Sequence, residues 1–133
     1  MPVEYDIIED KQIVVAMGSG VVTGIDVINH LDKLAADTRY IAPMKKIIDY
    51  RSIDSINISP EDAVTFALKK DTFNKKFHGE RCAFVSPGTV TYGTSRVHQS
   101  LVNNSSINTA VFKQVEEAQG WLGVTLDMSQ LDC

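Results

Sequence analysis

The sequence predicts an α/β fold: a mixed, mostly parallel five-stranded sheet with four helices, in the order β-β-α-β-α-β-α-β-α. Three observations predict it. Two short strand patterns stand next to each other at the N-terminus, joined by the polar turn Glu9-Asp10-Lys11-Gln12. Two later strand patterns, residues 46–50 and 82–85, alternate with helical stretches, as parallel strands do. Ser59-Pro60-Glu61-Asp62 is a strong helix start, with an N-cap serine, a proline at the first position and acids in the first turn.

The elements follow in order. In residues 3–9, Val3, Tyr5 and Ile7 alternate with Glu4 and Asp6, the pattern of a half-buried strand. Residues 13–17 form a second strand, antiparallel to the first across a tight turn. Residues 18–23 lead into a helix, with Thr23 and Asp26 at capping-box spacing. Ile25, Ile28, Leu31 and Ala35 recur at helical spacing, widened by Val27 and Leu34, and the helix ends near Asp37. Residues 46–50 are the third strand, parallel to the second through the intervening helix. Residues 51–58 read as an irregular loop tucked in by Ile53, Ile56 and Ile58.

In the second helix, Ala63, Phe66, Ala67, Lys70, Phe73 and Phe77 trace one face, and Gly79 ends the turn. Residues 81–86 are the fourth strand, and the continuous apolar run Cys82-Ala83-Phe84-Val85 implies cover on both faces. Residues 89–103 read as a third helix, 108–112 as a short fifth strand, and 115–122 as the last helix. Residues 1–123 are expected to form one domain, and 124–133 a C-terminal tail without a clear period.

Composition limits the function. The chain has 133 residues, of which 44% are hydrophobic, enough for a real core. Thirteen basic against seventeen acidic residues give a net charge of −4, which argues against nucleic-acid binding. No apolar run approaches the roughly 20 residues of a membrane span. The start, Met1-Pro2-Val3-Glu4-Tyr5-Asp6, lacks the pattern of a signal peptide, so a cytoplasmic location is expected. Cys82 lies in an apolar run and Cys133 ends the chain, so neither a disulfide framework nor a metal site is expected. No cofactor is implied.

Several residues bear on a site. Asp49 and Arg51 lie two apart at the mouth of the central strand and share a side. Ser86 ends the neighbouring strand. Tyr92 and Arg96 are four apart on the next helix, with Gly93 between them. Together these residues line either a shallow polar cleft that accepts an anion or a surface ion pair beside a packed tyrosine, the second being the plainer reading. Ser59 reads as a helix cap. Phosphorylation there is the disfavoured alternative, because Glu61 and Asp62 oppose a dianion. The glycines of Gly18-x-Gly20-x-x-x-Gly24 mark a strand end or bulge rather than a dinucleotide loop, since no acid follows at the required distance. Lys69, Lys70, Lys75, Lys76 and Arg81 read as a solvated helix end, with an acidic partner as the alternative. Ser95, His98 and Ser100 make no catalytic triad, and no other catalytic constellation appears.

The element order, with Ser19-Gly20-Val21-Val22-Thr23, Ile47-Ile48-Asp49-Tyr50-Arg51, Tyr92-Gly93-x-x-Arg96 and Glu116-Glu117-Ala118-x-x-Trp121-Leu122, resembles the SpoIIAA-like (STAS) superfamily. It resembles more closely a branch of uncharacterised bacterial proteins with that fold, over about residues 4–123. The resemblance implies a non-enzymatic regulatory or interaction domain that works by protein–protein contact, with a protein partner unknown and a homodimer expected. Its better-known members are switched by phosphorylation of a serine in an Asp-Ser-Ser-Gly-like motif at a helix start. This chain departs there: Asp54-Ser55 lies close behind Asp49, and Ser59 is followed by Pro60. Other members hold apolar ligands, which implies the alternative of an anionic or lipid-like small molecule bound in a cleft at the strand ends.

Overall fold

The computed structural model describes residues 3–86 and 108–126. The elements are β1 (Val3–Ile8), a single 3₁₀ turn (Glu9–Lys11), β2 (Ile13–Thr23), α1 (Gly24–Ala36), β3 (Lys45–Asn57), α2 (Pro60–Lys76), β4 (Arg81–Val85), β5 (Asn108–Phe112) and α3 (Val115–Leu122). The five strands lie side by side in chain order, β1-β2-β3-β4-β5. β1 runs antiparallel to β2, and the other three pairings are parallel. The fold class read from the sequence is therefore the one observed. The expected helix over residues 89–103 lies outside the described residues.

The turn between β1 and β2 closes because Gln12 takes up a left-handed conformation with φ 52°. Val3 then meets Gly18 across the pair, and Ile8 meets Ile13. Tyr5 fixes this hairpin to the end of α1. Its hydroxyl donates to Asp37 Oδ2 at 2.8 Å, and Asp37 in turn accepts from the Arg39 guanidinium.

Two strands are longer than their sequence pattern suggests. β2 does not end at Met17 but continues to Thr23, and β3 does not break at Tyr50 but continues to Asn57. The reason is local irregularity. Pairing between them shifts register between Met17 and Ser19 and again between Gly20 and Val21, where Gly20 has φ 64°. Such bulges interrupt the two-residue period by which strands are recognised. Gly18 serves a different need, since a Cβ at that position would lie 2.6 Å from Tyr50 Cδ1. The strand can pass this buried ring only without a side chain.

Alternation sends neighbouring residues to opposite faces of the sheet. Val14, Ala16, Ile48, Tyr50 and Phe84 join Val27, Ile28 and Leu34 of α1, Phe66 and Phe73 of α2, and Phe77 just after it in one core. Ile13, Val15, Ile47, Ala83 and Val85 join Val115, Ala118 and Leu122 of α3 in the other. This two-sided cover explains the unbroken apolar runs at residues 13–17 of β2 and 82–85 of β4. Val124 and Leu126 pack onto the second core, and Leu126 exchanges hydrogen bonds with the Gln119 side chain.

Ile25 is the exception to the predicted stripe of α1. It is exposed, and His30 is buried on the core face in its stead. Position 25 lies in the first turn, where Gly24 and not Ile25 meets α2. Among the described residues, no helix is long and apolar enough to cross a membrane.

Candidate functional site

β3 pairs with β4 only as far as Asp49, which lies opposite Val85. It pairs with β2 for a further eight residues, to Asn57 opposite Thr23. The sheet therefore narrows at Asp49, and a two-stranded parallel overhang carries the chain on to the starts of α1 and α2. Asp49 is thus within a strand, not at the end predicted for it. It stands at the end of one pairing and midway along another.

Asp49 is 4% exposed, and its carboxylate is held by the residue two further on. The Arg51 backbone N–H donates to Oδ1 at 3.0 Å, Nε donates to Oδ1 at 2.9 Å, and Nη2 donates to Oδ2 at 2.7 Å. This is a two-pronged, charge-assisted pair between a buried acid and a half-exposed base. What the pair offers is a fixed, neutralised polar surface at the step in the sheet. Ser86 sits one residue beyond Val85, fully buried, and its N–H donates to Phe112 O at 2.9 Å. The structure thus brings Asp49, Arg51 and Ser86 to one region. Tyr92 and Arg96 lie outside the described residues.

At the far end of the overhang the two helix starts lie together. Thr23 Oγ1 accepts from Asp26 N while Asp26 Oδ2 accepts from Thr23 N. Val22 and Val27 flank this cap, both buried in the same core, as a hydrophobic staple requires. Ser59 and Asp62 repeat the arrangement: Ser59 Oγ accepts from Asp62 N at 3.1 Å, and Asp62 Oδ2 accepts from Ser59 N at 3.0 Å. Ser59 is therefore a cap, as its sequence context predicts. A phosphate on it would stand against the Asp62 carboxylate, which already occupies the positive end of α2. Gly24 lies directly against Asp62, and any Cβ at Gly24 would overlap that side chain.

The predicted basic cluster is not one patch. Lys69 reaches Asp32 of α1 at 2.7 Å. Lys76 donates to Tyr40 O at 3.1 Å and lies over the Tyr40 ring. Arg81 stacks on Trp121 at 4.3 Å from the ring centre. Three of its members thus serve internal contacts.

A buried polar group escapes the sequence reading. Lys46 is 2% exposed, and its Nζ lies 2.6 Å from Nε2 of buried His30. The Tyr40 hydroxyl donates to Glu80 Oε2 at 2.5 Å, also in the interior. Burial holds the Glu80 carboxyl above the usual range, and Lys46 and the Tyr40 hydroxyl draw it partly back. Burial, and then Glu80, push the Cys82 thiol up. A thiol so raised is no nucleophile at neutral pH. The available signal is weak: a lysine second in an apolar strand, and a histidine between Val27 and Leu34 on the apolar face of α1.

No family model matches the chain, and no curated protein matches it. A solved structure does: an uncharacterised DUF3478-family protein with a SpoIIAA-like fold from Shewanella loihica PV-4. The match has a TM-score of 0.54 and 18% identity, and covers 90% of this chain and 91% of that one. The chain has a SpoIIAA-like fold. At this identity the likeness establishes the SpoIIAA-like fold and assigns no activity.

Proposed function

We propose that this SpoIIAA-like domain is a non-enzymatic, cytoplasmic regulatory module that works by protein–protein contact. The observation that carries this reading is a pair of apolar side chains left outside the core at the first helix start. Val21 and Ile25 flank the Thr23 cap and are both about half exposed, while their neighbours Val22 and Val27 are buried. Apolar groups beside well-ordered caps suit a rigid contact surface. The test is affinity capture from a lysate of the source organism with the intact chain and with Val21→Lys/Ile25→Glu. The reading expects a specific protein that the intact chain retains and the variant loses. Equal recovery by both would refute it.

A second reading places an anionic or lipid-like small molecule at the step beside Asp49, Arg51 and Ser86. The half-exposed Arg51 guanidinium, held rigid by Asp49, favours it. Native mass spectrometry of the purified chain and of Arg51→Ala tests it. A bound mass lost in the variant supports the cleft, and an identical bare mass for both removes it.

A further inference from the structure

The outward face of α2 carries a pattern that the fold does not use. Leu68 is 81% exposed and Val64, one turn before it, is 61% exposed. Glu61 and Lys75 are exposed on the same helix, seven residues to either side of Leu68. A step of seven drifts by only about 20° around a helix. Glu61, Leu68 and Lys75 therefore form a nearly straight line along the helix, spaced about 10 Å apart, with Val64 widening its centre.

We propose that this line is a self-association face, on which α2 of a second copy packs antiparallel with Leu68 on the two-fold axis. The charges select this occupant and orientation. Antiparallel pairing about Leu68 brings Glu61 of each copy against Lys75 of the other, giving two opposite-charge contacts around an apolar centre. Parallel pairing would set Glu61 against Glu61 and Lys75 against Lys75. The core side of α2, with Asp62, Phe66, Phe73 and Phe77, is buried within the chain and does not compete. One helix face is a small interface, so the association is weak, in the range about 10 μM to about 1 mM. The inference rests on the reading that the domain works by protein contact, and names the face, register and partner for its self-contact.

Analytical ultracentrifugation of the full chain over that range tests it. The intact chain should form dimers as concentration rises. Leu68→Glu should weaken dimerisation at least about tenfold. Glu61→Lys and Lys75→Glu should each weaken it, and the double exchange should restore it to within about threefold. A chain monomeric throughout, an unaffected Leu68→Glu, or an exchange that fails to restore would each overturn the proposal. Should a charge variant lose its circular dichroism, cysteine cross-linking decides, in a Cys133→Ser background. Leu68→Cys should give a covalent dimer on mild oxidation, and Lys75→Cys should not, because only position 68 meets its own copy. Equal cross-linking at both would also overturn it. Partner capture by the monomeric Leu68→Glu form separates this proposal from the broader one: the dimer face can fail while Val21 and Ile25 still recruit a protein.

Discussion

Lys46 Nζ lies 2.6 Å from His30 Nε2 between the sheet and α1, and Glu80 acts on the same region. Lys46→Met removes this buried polar contact and should cost about 1–3 kcal/mol. Glu80→Gln should cost less, because burial already favours the neutral carboxyl. The double variant should cost less than their sum, by about 0.5–3 kcal/mol, in urea unfolding. Strict additivity would show that the two groups do not sense each other.

Glu80 also sets a pH dependence. Its carboxyl is held above the usual range in the folded chain, chiefly by burial. The folded state therefore binds this proton more firmly than the unfolded state. Its contribution is fully present below the unfolded value of about 4.3 and declines as pH rises from there through the folded value. Thermal unfolding in a pH series should show Glu80→Gln without that decline.

Tyr5 acts at the opposite end of the scale. Burial, and then its hydrogen bond to Asp37, push its hydroxyl up to about 12. Stability from this contact is fully present below the ordinary tyrosine value of about 10 and is lost as pH rises through the folded one. Tyr5→Phe should cost about 1 kcal/mol at neutral pH and remove the part of the alkaline loss due to Tyr5. Asp37 has the reverse sign. The Arg39 guanidinium holds its carboxyl well below the usual range, so its contribution is present above about pH 4 and lost on acidification.

Two glycines should respond oppositely to alanine. Gly24→Ala drives a methyl into Asp62 and should destabilise by about 1–3 kcal/mol. Gly120 in α3 has nothing within 4 Å of an added Cβ, so Gly120→Ala should stabilise by about 0.5–1 kcal/mol. Chemical denaturation of both reads the contrast.

Ser59→Ala should lower stability by about 1 kcal/mol in urea and leave partner capture unchanged, as the loss of a helix cap would. A loss of capture at full stability would instead make Ser59 a recognition residue.

The two helix starts are legible in the sequence because a capping box is a contact between residues three apart. The pairing of Asp49 with Arg51 is legible for a similar reason, since alternate strand positions share a side. The overhangs of β2 and β3 are not, because the bulges near Gly18 and Gly20 erase the period that marks a strand. Ile53 and Ile56, three apart and both buried, look like loop anchors when read alone. Lys46, His30, Tyr40 and Glu80 belong to four separate stretches. Their meeting depends on how β3, α1 and β4 are laid side by side, which no local pattern encodes. Ile25 misleads because helical spacing identifies a stripe without saying where a neighbouring helix begins to cover it.

The overhang imposes a requirement of equal reach: six residues of β2 beyond Met17 end level with eight of β3 beyond Asp49, because the two register shifts take up the difference. Thr23 and Asn57 are the last partners of β2 and β3; Thr23 is itself the cap of α1, and Ser59, the cap of α2, lies two residues beyond Asn57. One residue added to a single strand without a further bulge would carry its helix start about 3.3 Å past the other. Gly24 would then leave Asp62, and the two caps would no longer lie side by side. The strands behave as matched spacers, in which the distance spanned and not the residue count must agree.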